Sequence, residues 1–170
     1  MSEITSEEMK LTVQEYLAKQ TIRIAEGFVH FVKITPADKR DWHLEVEGGT
    51  HTRSMMEQIG ECVTVNRLFA RLLSGEIVSP DENVMQEQTF TGIDDAEKQL
   101  LESANALATA IAVLPDEGLE KGYAHPRGFR IRGENLILMG FRNMTYHVGQ
   151  VNFIQTLYGD HVFQAPSNWR

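Results

Sequence analysis

The sequence holds a single cysteine, Cys62, so no disulfide can form within the chain and a reducing cytoplasm is the expected compartment. Positive charge is also short. Lys and Arg total 16 against 24 Asp and Glu, a formal net charge of −8, and no basic run interrupts it. Nucleic acid and anionic membrane surfaces are therefore excluded as expected partners. No hydrophobic run approaches the length of a membrane span. The first residues, MSEITSEEMK, are acidic and polar, unlike a secretory signal. The chain has no internal repeat, low-complexity tract, glycine-rich phosphate loop, HExxH motif or usable Ser-His-Asp order. At 170 residues it is read as one domain, 1–170, large enough to bury a core without staples.

What the sequence does contain is helical periodicity. Met9, Val13, Leu17, Ile24, Phe28 and Phe31 recur at helix spacing, with Thr5 and Glu8 as a capping box and Pro36 as the stop. Ser54 and Glu57 open a second helix that Gly75 closes, with a stripe of Val65, Leu68 and Leu72. Ala96, Leu100, Ala104, Leu107 and Ile111 mark a third, ending before Pro115. A fourth runs from Glu134 to a stop at Gly159. The spans predicted are 5–34, 54–74, 92–114 and 134–158, giving an all-α four-helix bundle with no substantial sheet. Trp42 is expected to anchor the first connection. The last residues are expected to fold back through Phe163 or Trp169.

Two polar anomalies stand on these apolar faces. In the fourth helix, Leu136, Gly140, Asn143, Val151 and Ile154 share a narrow arc with His147. In the second, Glu61 lies at the centre of the inward stripe, where a carboxylate needs a partner. Gln150 lies at the edge of the His147 arc, where an interhelical hydrogen bond is expected and a role orienting the imidazole is the alternative. Tyr146 points away, to surface or interface. Cys62 reads as a buried inert thiol, because the adjacent glutamate opposes a thiolate. His125, Arg127 and Arg130 are expected to be solvated loop residues, or else a greeting for an anion at a pocket mouth. His30, His43, His51 and His161 form no usable spacing.

The layout resembles the DinB/YfiT-like superfamily. The resemblance rests on DW at 41–42, RSMMEQIGE at 53–61, NRLFARLLSG at 66–75 and, most specifically, YHVGQVNFIQTLYGD at 146–160. It implies an up-down-down-up bundle, a homodimer, and a metal pocket of one histidine on the second helix and an HxxxH pair on the fourth. Family members of known activity include thiol-dependent transferases and isomerases. In this sequence only His147 matches a family histidine; Asn143 and Glu61 occupy the other two positions.

Glu61, Asn143 and His147 are therefore the candidate metal set, offering one carboxylate, one amide oxygen and one imidazole. Such a set leans toward a weakly bound divalent, oxygen-preferring ion rather than zinc or nickel. The preferred expectation is a buried network in which Glu61 accepts from His147 and Asn143 completes it. The function expected is that of a degenerate, small-molecule-binding or non-catalytic member. The alternative is a metal-dependent hydrolase or thiol S-transferase using the same three residues; no catalytic residue is assigned. A homodimer is also expected from surplus apolar surface on the second helix, at Met55, Ile59, Cys62 and Phe69.

Overall fold

The computed structural model describes residues 11–169. Its four long helices are α1 (Val13–Ile34), α3 (Met55–Leu73), α4 (Ile93–Ala112) and α6 (Gly133–Leu157), joined by short elements: α2 (Ala37–Arg40) and α5 (Asp116–Glu120). Strands β1 (Glu45–Val46) and β2 (Thr50–His51) form one antiparallel ribbon, and β3 (Gly122–Ala124) and β4 (Arg130–Arg132) form another. A final 3₁₀ turn covers Ser167–Trp169.

Local chemistry explains the helix ends. Thr12 caps α1, its hydroxyl accepting from the Glu15 amide at 3.1 Å while Glu15 accepts from the Thr12 amide at 2.8 Å. Leu11 and Thr12 are not helical, so α1 starts at Val13 and not at Thr5; the expected Thr5–Glu8 box and Met9 lie outside the described residues. Val13 is exposed, not part of the core stripe. Thr35, which precedes Pro36, is extended and ends α1. The Ser54–Glu57 box forms as expected, with the Glu57 carboxylate accepting from the Ser54 amide at 2.7 Å. Gly75 and Gly159, at φ +83° and +99°, close α3 and α6, and in each case the next amide returns to a carbonyl of the last turn.

Side-chain contacts fix the threading. Gln14 reaches the Leu114 carbonyl and Lys33 reaches Glu97, so α1 and α4 are antiparallel. Asn66 meets Met144 while Gln58 meets His147, so α3 and α6 are antiparallel. Ile24 shares a hollow with Phe141, and Gln155 bonds the Phe31 carbonyl, so α1 and α6 run together. The result is an up-down-down-up bundle in which α1 and α3 each pack on both α4 and α6.

Two buried clusters fill it. One includes Leu17, Leu68, Leu72, Leu107, Ile111 and Leu136; the other is built on Phe28, Phe31, Met55, Ile59, Leu100 and Met144. Each such fully buried side chain contributes about 2 kcal/mol by leaving water. Between them α6 approaches α4 closely. A Cβ on Gly140 would lie 2.3 Å from Leu107, so the notch left by this glycine is filled by that leucine. Trp42 packs on the second cluster. The C-terminal segment folds back with both Phe163 and Trp169 against Phe31, at ring separations of 5.6 Å. Met55, Ile59, Cys62 and Phe69 are all buried within the bundle. The apolar surplus expected on the second helix is thus absorbed internally. Among the described residues no helix is long and apolar enough to cross a membrane.

Candidate functional site

Glu61, Asn143 and His147 all line one cavity of about 480 Å³, at the α3–α6 seam beneath the β1–β2 ribbon. The antiparallel packing of α3 and α6 sets the first turns of α3 against the middle of α6, so the two polar positions meet. The lining is mixed: Leu44, Phe153, Ile154 and Leu157 are apolar, and Thr52, Arg53, Gln58 and Gln150 are polar. Tyr146 does not point clear of the site. It lines the cavity mouth while 64% exposed, its ring edge-on to His147 at 5.3 Å.

The bonding differs from the expected network. His147 Nδ1 lies 2.8 Å from Gln150 Oε1 and 3.2 Å from Gln58 Oε1. Two carbonyl oxygens require Nδ1 to be the proton donor, with these amide orientations, so Nε2 carries the lone pair. Nε2 sits 3.1 Å from Glu61 Oε2, yet it is buried and, among the described residues, has no aligned hydrogen-bond partner. Glu61 does not depend on His147 for its charge, because the Arg53 guanidinium holds the same Oε2. The other arm of Arg53 holds Glu87. Asn143 donates to Cys62 Sγ at 3.5 Å and does not complete a Glu61–His147 network. Gln150 orients the imidazole from within α6, so the interhelical bond expected of it is not what forms.

Burial sets the electrostatics. Desolvation holds His147 below the ordinary imidazole range; the Gln150 bond opposes this, the Arg53 charge adds to it, and Glu87 works against it. Burial therefore favours the neutral imidazole. Burial drives the Cys62 thiol far upward, which leaves it inert as expected. His125 is also buried, contrary to its reading as a solvated loop residue. It stacks on Phe129 at 4.4 Å, accepts from the Arg127 amide and stands outside the cavity lining.

Arg53, Gln58 and Glu87 are the residues that sequence reasoning missed. Gln58 was accessible, since it precedes Glu61 by one helical turn on the same face. Arg53 precedes the helix cap and Glu87 lies in a loop, where helical periodicity says nothing.

The resemblance implies a metal here, and the donors fit it poorly. The one carboxylate oxygen facing His147 already carries a guanidinium, which repels a second cation. What remains is one imidazole and the Asn143 amide oxygen. That is a set for a loosely held, oxygen-preferring ion and not for zinc or nickel.

No family model matches this sequence, and no curated protein matches it either. Among solved structures, the fold is similar to that of a DinB-like protein, YjoA of Bacillus subtilis. The TM-score is 0.65 and the identity 16%, covering 90% of this chain and 97% of that one. At such identity the likeness speaks for the fold alone: this chain is an all-α, DinB-like helical bundle.

Proposed function

We propose that the chain binds a small amphiphilic molecule whose polar head donates a hydrogen bond to His147 Nε2. The observation that carries this reading is the buried, unpartnered Nε2 lone pair beside the Glu61 carboxylate. Two acceptors face each other there, and a donor head group relieves both. Arg53 with Glu61 and Glu87 sums to one negative charge, which favours a protonated amine over an alcohol and disfavours a carboxylate. The apolar lining residues Leu44, Phe153, Ile154 and Leu157 take the tail, and the cavity volume suits a ligand of that size. Thermal melts with octylamine, octanol and octanoate test the reading. Octylamine is expected to raise the midpoint most and octanoate least, and Ile154→Trp is expected to abolish the effect by filling the cavity. Equal effects from all three, or an effect that survives Ile154→Trp, overturn it.

A second reading follows from the same imidazole. A neutral histidine with its tautomer fixed by Gln150 is equipped to take a proton from the bound head group, which supports acid–base catalysis without a metal. The metal-dependent hydrolase or thiol S-transferase reading requires a cation between Glu61 and His147. Stoichiometric zinc or nickel that survives a chelator and is lost in His147→Ala would restore it. For assembly we propose a homodimer that covers the exposed apolar residues Tyr146, Phe153 and Leu157 at the cavity mouth.

A further inference from the structure

The ribbon that roofs the cavity has a second face. Glu45 pairs with His51 in the β1–β2 register, and the Thr52 amide bonds the Leu44 carbonyl at 2.9 Å. Side chains alternate along a strand. Leu44 and Thr52 point into the cavity, which they line, so His43, Glu45 and His51 share the opposite face. On that face the His43 and His51 rings lie 4.3 Å apart, tilted by 30°. Glu57, from the first turn of α3, reaches the same spot. One ligand atom from each of His43, His51 and Glu57 falls within 4.8 Å of the others.

The remaining bonds of His51 and Glu57 leave each of them an atom free to ligate. His51 Nδ1 lies 3.0 Å from the Thr52 carbonyl, which can only accept, so Nδ1 bears the proton and the Nε2 lone pair is available. Glu57 uses Oε2 to cap Ser54, which leaves its second oxygen. Two imidazoles and a carboxylate form a three-ligand donor set suited to zinc, with a fourth position open to water. Glu45, directly across from His51, adds negative charge beside it.

We propose that His43, His51 and Glu57 bind one divalent cation of the zinc class, clamping the ribbon that carries Leu44 and Thr52 onto the start of α3. The site is separate from the Glu61–Asn143–His147 cavity and does not rest on the ligand assigned to it. Its consequence for the cavity is mechanical: the cation fixes one wall.

The test uses untagged full-length protein stripped with a chelator, with zinc then titrated against a chromophoric competitor. One equivalent is expected to bind. His43→Ala and His51→Ala are each expected to weaken it by roughly tenfold or more. Glu57→Gln is expected to weaken it while preserving the helix cap, since glutamine serves in a capping box. His147→Ala is expected to retain the full equivalent. Zinc should also slow proteolysis within residues 43–52 in the wild type and not in His43→Ala. Failure of the wild type to bind zinc overturns the proposal. So does binding that is indifferent to His43 and His51, or binding lost in His147→Ala, which would move the metal into the cavity.

Discussion

Removal of Arg53 is expected to cost more stability than removal of His147, although the histidine is the more buried of the two. The Arg53 side chain is 47% exposed and that of Glu61 24%, so their pairing lies between two limits. Breaking a buried pair costs about 3–5 kcal/mol, and a surface pair is worth about 0–1 kcal/mol. Discounted for solvent, Arg53→Ala is expected to cost about 2 kcal/mol, because it also leaves Glu61 and Glu87 facing each other without a cation. His147→Ala forfeits hydrogen bonding to Gln150 and Gln58, worth about 1 kcal/mol, and those amides then meet water in the cavity. Glu61 keeps its guanidinium, so no orphaned carboxylate is added. Urea denaturation of both variants at pH 7.5 measures the two costs. A histidine-detected NMR titration adds a second readout. Arg53 depresses the His147 pKa, so Arg53→Ala should move it upward. A His147→Ala cost equal to or above that of Arg53→Ala, or a His147 pKa that does not rise in Arg53→Ala, refutes this account of the site.

The held-down His147 pKa also gives stability a pH slope. The unfolded chain takes up the proton first as pH falls below the ordinary histidine value of 6.5, so stability is full above that value and declines below it toward the folded pKa. His125 is shifted in the same direction and adds to the slope. His147→Gln should flatten it, as read from urea midpoints between pH 7.5 and pH 5. Gly140→Ala should destabilise by about 1–3 kcal/mol, since its Cβ meets Leu107, and should cost less when introduced into Leu107→Ala than into the wild type. Sedimentation at micromolar concentration should give a dimer, and Phe153→Glu should give a monomer; a wild-type monomer refutes the assembly.

The bundle was legible because its helices announce themselves twice, by periodicity and by punctuation. Ser54 with Glu57, Gly75, Pro36 and Gly159 all mark ends that form. The start of α1 was misplaced because Thr12 and Glu15 carry the same capping chemistry as Thr5 and Glu8, and spacing alone does not choose between two valid boxes. The helical wheels located Glu61, Asn143 and His147 but misassigned their bonds. A wheel reports direction within one helix. It carries no information about Arg53, which enters from outside α3, or Glu87, which arrives from a loop. The same limit hid His43 and His51. Their eight-residue separation is meaningless on a helix and becomes a contact once the chain reverses at Gly48 and Gly49.

Cys62 is the only cysteine in the sequence, and it is fully enclosed where α3 meets α6, with Asn143 on its sulfur. A thiol reagent reaches it only when that seam opens. Under conditions where reclosing outruns labelling, the modification rate therefore reports the free energy of opening at this one seam, without any introduced probe. A ligand that bridges His147 and the α3 side of the cavity should slow the reaction in proportion to its occupancy. The chain thus carries its own sensor for the state of the cavity, read out in time rather than in heat or fluorescence.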